Sequence, residues 1–206
     1  MEPANRKDQQ IISYLTLRRL IGLAGIALPI LLAVGYIIKG DNVEILNSIS
    51  DYYHSEVRDL FVGVLFVLGF FLLSYKGYEK KDSIVANLGC LFSLGVALSP
   101  CQSEIGFVRT MHFICAILLF GVFIYFCLVL FPKGKEMFHR NKLYRICGWG
   151  IVVCLVLIAL SYKFLSGEQR GRLNPVFWLE SIALWLFGLS WLIKGRVFWK
   201  EAQQTT

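Results

Sequence analysis

The sequence has little charge and few of the residues that usually form reactive sites. Only 17% of its 206 residues are Asp, Glu, Lys or Arg, against roughly 25% in an ordinary soluble domain. It contains three histidines, and its six cysteines show no C-x-x-C spacing. The low charge argues against a soluble domain. The cysteine spacing argues against a disulfide framework or a thiolate metal site, so we expect the cysteines to be small packing residues.

Apolar sequence is abundant instead. The chain is 56% hydrophobic, and its mean hydropathy is +0.61. The apolar residues form long blocks, and a helix needs about 20 of them to cross a bilayer. Six blocks approach this length: 19–38, 58–75, 83–100, 107–131, 143–163 and 175–194. The sequence therefore predicts an all-α polytopic bundle of six transmembrane helices. A segment 1–18 precedes this single domain, 19–196, and a tail 197–206 follows it.

The formal net charge of +7 is explained by the way Lys and Arg are distributed between the two sides of the membrane. If the N-terminus is cytoplasmic, the inner segments hold 15 of the 21 Lys and Arg residues and the outer segments hold six. Cytoplasmic loops are enriched in Lys and Arg, so both termini are predicted to be cytoplasmic. We expect membrane lipid as a partner and no nucleic acid, because no soluble basic module is left to bind it. Oligomerisation is compatible with the sequence.

Three ionisable residues lie inside predicted spans. Asp59, His112 and Glu180 belong to the second, fourth and sixth helices, which all enter the bilayer from the outer face. Glu180 lies five residues after Pro175, about 7.5 Å deep at 1.5 Å per residue. Ionisable groups at membrane depth normally face a protein interior and indicate function. The sequence therefore predicts a polar pocket near the outer face.

The residue types in this layer suit zinc. His54 and His112, with Asp59 or Glu180, would supply the nitrogen and oxygen ligands of a catalytic zinc ion. The water on such an ion attacks esters and amides near neutral pH. Structural alternatives stay open: Asp59 at a helix N-terminus, where the dipole favours an acid, and an ion pair between Glu180 and Arg109.

Ser50 precedes His54 by four residues. If this stretch is α-helical, both side chains lie on one face. Ser50 would then polarise a substrate carbonyl or orient a ligand next to the metal.

Four segments, 48–71, 87–100, 140–148 and 177–195, resemble a group of small bacterial multi-helix membrane proteins of unknown function. That resemblance covers most of the chain and implies a place in the bacterial cytoplasmic (inner) membrane.

The spacing Ser50-x-x-x-His54 also resembles, more distantly, a motif of the CREST superfamily of membrane hydrolases. Alkaline ceramidases and the progestin/adiponectin-receptor family belong to it. The resemblance implies that His54 binds zinc, that Ser50 assists the oxyanion and that Asp59 holds the zinc water. The chain departs from the pattern because it has no late H-x-x-x-H and six spans instead of seven. His112 and Glu180 would have to replace the missing ligands.

The leading hypothesis is therefore a zinc-dependent membrane hydrolase that acts on a lipid-like amide or ester at the outer leaflet. The candidate site residues are Ser50 and Asp59 as catalytic groups, His54, His112 and Glu180 as metal ligands, and Arg109 as a further pocket residue. One alternative is a non-enzymatic sensor, carrier or channel subunit that binds a small molecule or lipid in the same pocket. Another is a scaffold whose polar residues fix helix packing.

Overall fold

The computed structural model describes residues 13–40, 44–77, 79–133 and 138–197. Within these ranges the chain is helical and contains no strand, which confirms the predicted all-α class. Its α-helices are α1 (Tyr14–Lys39), α2 (Arg58–Ser74), α3 (Lys80–Leu98), α4 (Gly106–Tyr125), α5 (Phe138–Phe164), α6 (Gly167–Leu173) and α7 (Pro175–Lys194). A short 3-10 helix, Ile49–His54, precedes α2.

Five helical stretches are long and apolar enough to cross a membrane. They are Tyr14–Lys39, Lys80–Leu98, Gly106–Lys133, His139–Phe164 and Pro175–Lys194. The third is longer than α4 because a π-helical turn, Phe126–Leu130, and a 3-10 turn continue it. The α2 helix has 17 residues and is shorter than these five. The fold is therefore that of a multi-span helical membrane protein.

The α7 helix lies in the middle of the bundle, between α1 and α5. Gly188 on α7 and Gly22 on α1 let the two backbones approach closely, as small residues commonly do between membrane helices. A Cβ atom on Gly188 would lie 2.5 Å from the Gly22 carbonyl oxygen. Towards α4, the Phe187 ring stacks on Phe123 with centroids 3.7 Å apart. These contacts make α7 the element against which α1 and α5 are positioned.

The bundle has a loop end, which carries the 3-10 helix 49–54, and an opposite basic end. At the basic end, Lys133 forms ion pairs of 3.2 Å with Asp82 and Glu79. The guanidinium of Arg18 lies 4.4 Å from the centre of the Tyr14 ring. These pairings place cations at one end of the bundle.

Candidate functional site

Residues 45–54 form a segment that covers the loop end of the bundle. The backbone N–H of Phe177 donates to the Asn47 carbonyl at 2.9 Å. The Asn174 side-chain amide donates to the Ile45 carbonyl at 2.8 Å. Both donors lie at the start of α7, so this helix holds the segment across the bundle.

A capping box starts the 3-10 helix. The Ser48 hydroxyl accepts the Ser50 N–H at 3.0 Å, and the Asp51 carboxylate accepts the Ser48 N–H at 3.1 Å. A 3-10 helix has three residues per turn, so residues four apart do not share a face. Ser50 consequently points into the bundle, whereas His54 is exposed and its Nε2 accepts the backbone N–H of Gln102 at 3.2 Å. The common face expected for Ser50 and His54 required an α-helix and is not formed.

The inward-facing Ser50 meets His112 instead. Its hydroxyl lies 3.0 Å from His112 Nε2, and His112 Nδ1 lies 2.6 Å from the Ser99 carbonyl oxygen. A carbonyl oxygen only accepts hydrogen bonds, so His112 Nδ1 carries the ring hydrogen. In the neutral imidazole, Nε2 then accepts a hydrogen bond from the Ser50 hydroxyl. The imidazole is fully buried. A hydroxyl, a base and a third group that orients the base are the parts of an activated nucleophile.

Glu180 connects α7 to the same segment. Its Oε2 accepts the backbone N–H of Ile49 at 2.7 Å, directly beside Ser50. Arg109, the alternative partner considered from the sequence, is exposed on α4. Among the described residues, the recorded ion pairs are those of Lys133 with its two acids, so the pair between Glu180 and Arg109 is not formed.

The Glu180 contact gives a stability prediction. We expect Glu180→Leu to lower the free energy of unfolding by about 1–3 kcal/mol, because the partly buried Ile49 N–H loses its acceptor. Glu180→Gln keeps a side-chain oxygen for that N–H and is the matched control. Reversible unfolding in mixed detergent, with proteolysis of segment 45–54, measures both. Equal stability of the Leu and Gln variants would contradict the assigned contact.

A cavity of about 280 Å³ surrounds these groups. Its polar part is lined by Ser50, Asp51, Gln102, His112, Tyr162 and Glu180. Its apolar wall is formed by Phe113, Ala116, Ile117, Phe120, Leu155 and Ile158, from α4 and α5. A second cavity of about 50 Å³ lies behind Ser50 and Glu180 and has mainly apolar walls. This combination of a polar end and an apolar wall suits an amphiphilic ligand.

The remaining candidates lie outside this cavity. Asp59 is exposed in the first turn of α2 and lines a separate groove between α1 and α2. Gly63 and Val67 line the same groove, because helical residues four apart share a face. In the first turn of α2 the helix dipole stabilises the Asp59 carboxylate, which is the structural alternative to a metal-binding role for this residue. The structure therefore brings together Ser50, His112 and Glu180, and it leaves His54, Asp59 and Arg109 apart from them.

The predicted zinc ligands do not form one coordination shell. In the part of the chain that the structure describes, no group of three or more His, Cys, Asp or Glu side chains is arranged to hold a metal. Both ring nitrogens of His112 are hydrogen-bonded, and His54 lies outside the cavity. Burial, helped by the charge of Asp51, raises the pKa of the Cys101 thiol to about 12. The residues as arranged do not fit the zinc site, and a zinc requirement stays a prediction.

Three parts of the site were not identified from the sequence. The Ser99 carbonyl follows the last residue of α3, where helix-end carbonyls lack helical partners, and Pro100 was a usable signal for that end. Gln102 donates to Asp51 at 3.0 Å and holds the 3-10 helix. Tyr162 lines the cavity, and the sequence alone does not distinguish it from an aromatic residue at the membrane interface.

No protein-family model, curated protein or solved structure matches this chain. The two resemblances drawn from the sequence therefore stay predictions. What the fold and the cavity define is a class: a multi-span helical membrane protein with a serine–histidine pair at the polar end of an amphiphilic cavity.

Proposed function

We propose that this protein is an integral-membrane hydrolase of a lipid-like ester or amide, with Ser50 as nucleophile and His112 as its base. The observation that supports this is the 3.0 Å contact between the Ser50 hydroxyl and His112 Nε2, in a cavity with an apolar wall. The sequence-based hypothesis used a zinc-bound water as the nucleophile. In this proposal Ser50 is the nucleophile, and His112 activates it by taking its proton.

The proposed reaction has two halves. In the first, Ser50 Oγ attacks the carbonyl carbon of the substrate, and its proton moves to His112 Nε2. The bond to the leaving alcohol or amine breaks, and that group takes the proton from Nε2. In the second, water gives a proton to Nε2 and attacks the acyl carbon, the acid leaves, and Ser50 recovers its proton. The Ser99 carbonyl accepts the Nδ1 hydrogen throughout, which holds the ring orientation and stabilises the imidazolium.

We propose further that α2 is a sixth span, that both termini are cytoplasmic and that the loop end faces outward from a bacterial inner membrane. Seventeen helical residues extend about 25 Å, which approaches the roughly 30 Å hydrocarbon core. The distribution of 15 and six Lys and Arg residues supports this orientation, and it puts Ser50 at the outer leaflet.

A covalent probe tests the nucleophile. We expect a long-chain fluorophosphonate to label the wild-type protein at Ser50 and to leave Ser50→Ala unlabelled, because only an activated serine displaces fluoride at a useful rate. Ser103→Ala, in the neighbouring loop, is the control and keeps full labelling. Labelling of Ser50→Ala at the wild-type level would overturn the proposal. Ester hydrolysis that is abolished by a chelator and restored by zinc would favour the metal hypothesis instead.

A non-enzymatic sensor or carrier is the second candidate, and one observation favours it. Ser50, Asp51 and Glu180 line the cavity and also hold the 3-10 helix, so a ligand in the cavity acts directly on segment 45–54. This candidate predicts ligand-dependent stabilisation of the protein without probe labelling or turnover.

A further inference from the structure

The cavity lies in a cleft between α4 and α5. At the basic end the two helical stretches are close: the side chains of Leu128 and Cys127 pack against the Cα of Gly148. The rings of Phe131 and Tyr144 are 5.2 Å apart there. Over their whole lengths α4 packs mainly on α3 and α5 packs mainly on α7, and near the loop end residues 113–120 of α4 and 155–162 of α5 line the cavity. The helices therefore separate towards the loop end, and the cavity occupies the space between them.

The mouth of this cleft is apolar and exposed. Phe113 and Ile117 on α4 are 51% and 68% exposed, and Tyr162 on α5 is 59% exposed. Ile117 lies 11 residues after Gly106, the first residue of α4, or about 16 Å along the helix. That depth is near the middle of a roughly 30 Å hydrocarbon core. The mouth therefore opens sideways to lipid.

The size of the cavity limits its occupant. About 280 Å³ is at the lower end of the roughly 300–1,000 Å³ of small-molecule pockets, so it suits one alkyl chain and not two. The cavity behind Ser50, about 50 Å³, is too small for a long chain. A chain attached to a carbonyl at Ser50 must therefore leave through the α4–α5 cleft.

The charge of the lining limits the headgroup. Asp51 and Glu180 line the cavity, and no Lys or Arg belongs to the described lining. The Asp51 carboxylate repels an anionic headgroup, and a desolvated like-charge contact is costly. Neutral or cationic headgroups are favoured.

We infer that the substrate is a single-chain, neutral or cationic amphiphile that reaches Ser50 sideways from the bilayer through the α4–α5 cleft. Its ester or amide lies at Ser50 and His112, its headgroup lies beside Asp51, and its chain runs between α4 and α5 into lipid. This inference rests on the proposed hydrolase function, and its test separates the two.

Two esters and four variants test the route. Ile117→Trp and Ile158→Trp narrow the cleft from its two walls, and Ile114→Trp and Val156→Trp are controls on the same helices, at half-exposed positions outside the cavity lining. In lipid nanodiscs, we expect the two cleft variants to lower kcat/KM for a palmitoyl umbelliferyl ester by about tenfold or more. The loss for the water-soluble butyryl ester is expected to be several-fold smaller, because its short acyl chain does not extend through the cleft, and the controls keep both activities. Equal effects on the two esters, or none on the palmitoyl ester, would overturn the route.

A photolabelling experiment on Ser50→Ala does not depend on turnover. A neutral palmitoyl amide with a mid-chain diazirine is expected to label residues 113–120 and 155–162, and excess unlabelled amide competes. A palmitoyl phosphate analogue labels these residues several-fold less. Labelling spread evenly over all spans, or equal labelling by the phosphate, would refute the inference. Labelling of the cleft in a protein without esterase activity would refute the hydrolase function and support the cleft as a lipid-binding site. Ser50-dependent hydrolysis without labelling of the cleft would support the hydrolase function and refute the route through the cleft.

Discussion

Replacing His112 by glutamine is expected to lower kcat for ester hydrolysis by about a thousandfold, the typical size of a general-base contribution. The glutamine amide reaches about as far as Nε2 and keeps a hydrogen bond to Ser50, but it cannot take the proton. Because His112 is fully buried, the conservative shape limits the loss of packing. Turnover of a fluorogenic ester, normalised to folded protein by size-exclusion chromatography and thermal unfolding, measures the effect.

His54→Gln is the matched control for His112→Gln. His54 is exposed, and its recorded hydrogen bond is the one from the backbone of Gln102. We therefore expect kcat of this variant to stay within about twofold of the wild type. The zinc hypothesis makes the opposite prediction, since there both histidines are ligands and either change releases the metal. Parallel losses in both variants, accompanied by loss of bound zinc, would reject the serine–histidine mechanism.

The largest stability effect is expected at Gly188. Gly188→Ala places a Cβ atom 2.5 Å from the Gly22 carbonyl oxygen and 2.6 Å from the Ile26 side chain. The carbonyl belongs to a helix backbone and cannot rotate away, so α1 and α7 must separate. Overpacking of this kind costs about 1–3 kcal/mol and occasionally more, and we expect a value at the upper end. Reversible unfolding in mixed detergent gives the free energy.

Gly121→Ala provides the comparison for Gly188→Ala. Gly121 lies inside α4, and a Cβ there meets nothing within 4 Å. Alanine has the higher helix propensity, by about 1 kcal/mol, so this variant is expected to be as stable as the wild type or slightly more. If the two alanine variants were equally stable, the close α1–α7 contact would not be what holds these helices together.

The long apolar blocks were sufficient to predict an all-α membrane bundle, because such blocks allow few structures other than membrane helices; the short polar helix α6 was not predicted. Ser50, His112 and Glu180 were also candidates from the sequence, since ionisable groups at membrane depth stand out. Their mutual contacts were not predictable. In an α-helix Ser50 would share a face with His54, whereas in the 3-10 helix it faces His112. The sequence of a six-residue segment does not determine which of these two helix types forms. Asp59 was predicted to line the same pocket but lines the groove between α1 and α2. Its depth in the bilayer does not determine the direction in which its side chain points from the helix.

The Ser99 carbonyl shows a further limit. This main-chain oxygen orients the His112 ring. Any residue at position 99 that keeps the same backbone conformation would supply the same oxygen. Sequence patterns record side chains, so a site completed by main-chain atoms leaves only an indirect trace, here the proline that follows.

The positions of the three site residues along the chain have a consequence for biosynthesis. Ser50 precedes α2, His112 belongs to α4, and Glu180, which anchors the segment carrying Ser50, belongs to α7. During insertion by a translocon Ser50 therefore emerges long before the groups that position it. A stalled or truncated chain carries the serine without its partners, so the proposed hydrolase mechanism predicts reactivity towards surrounding lipids only after α7 has docked.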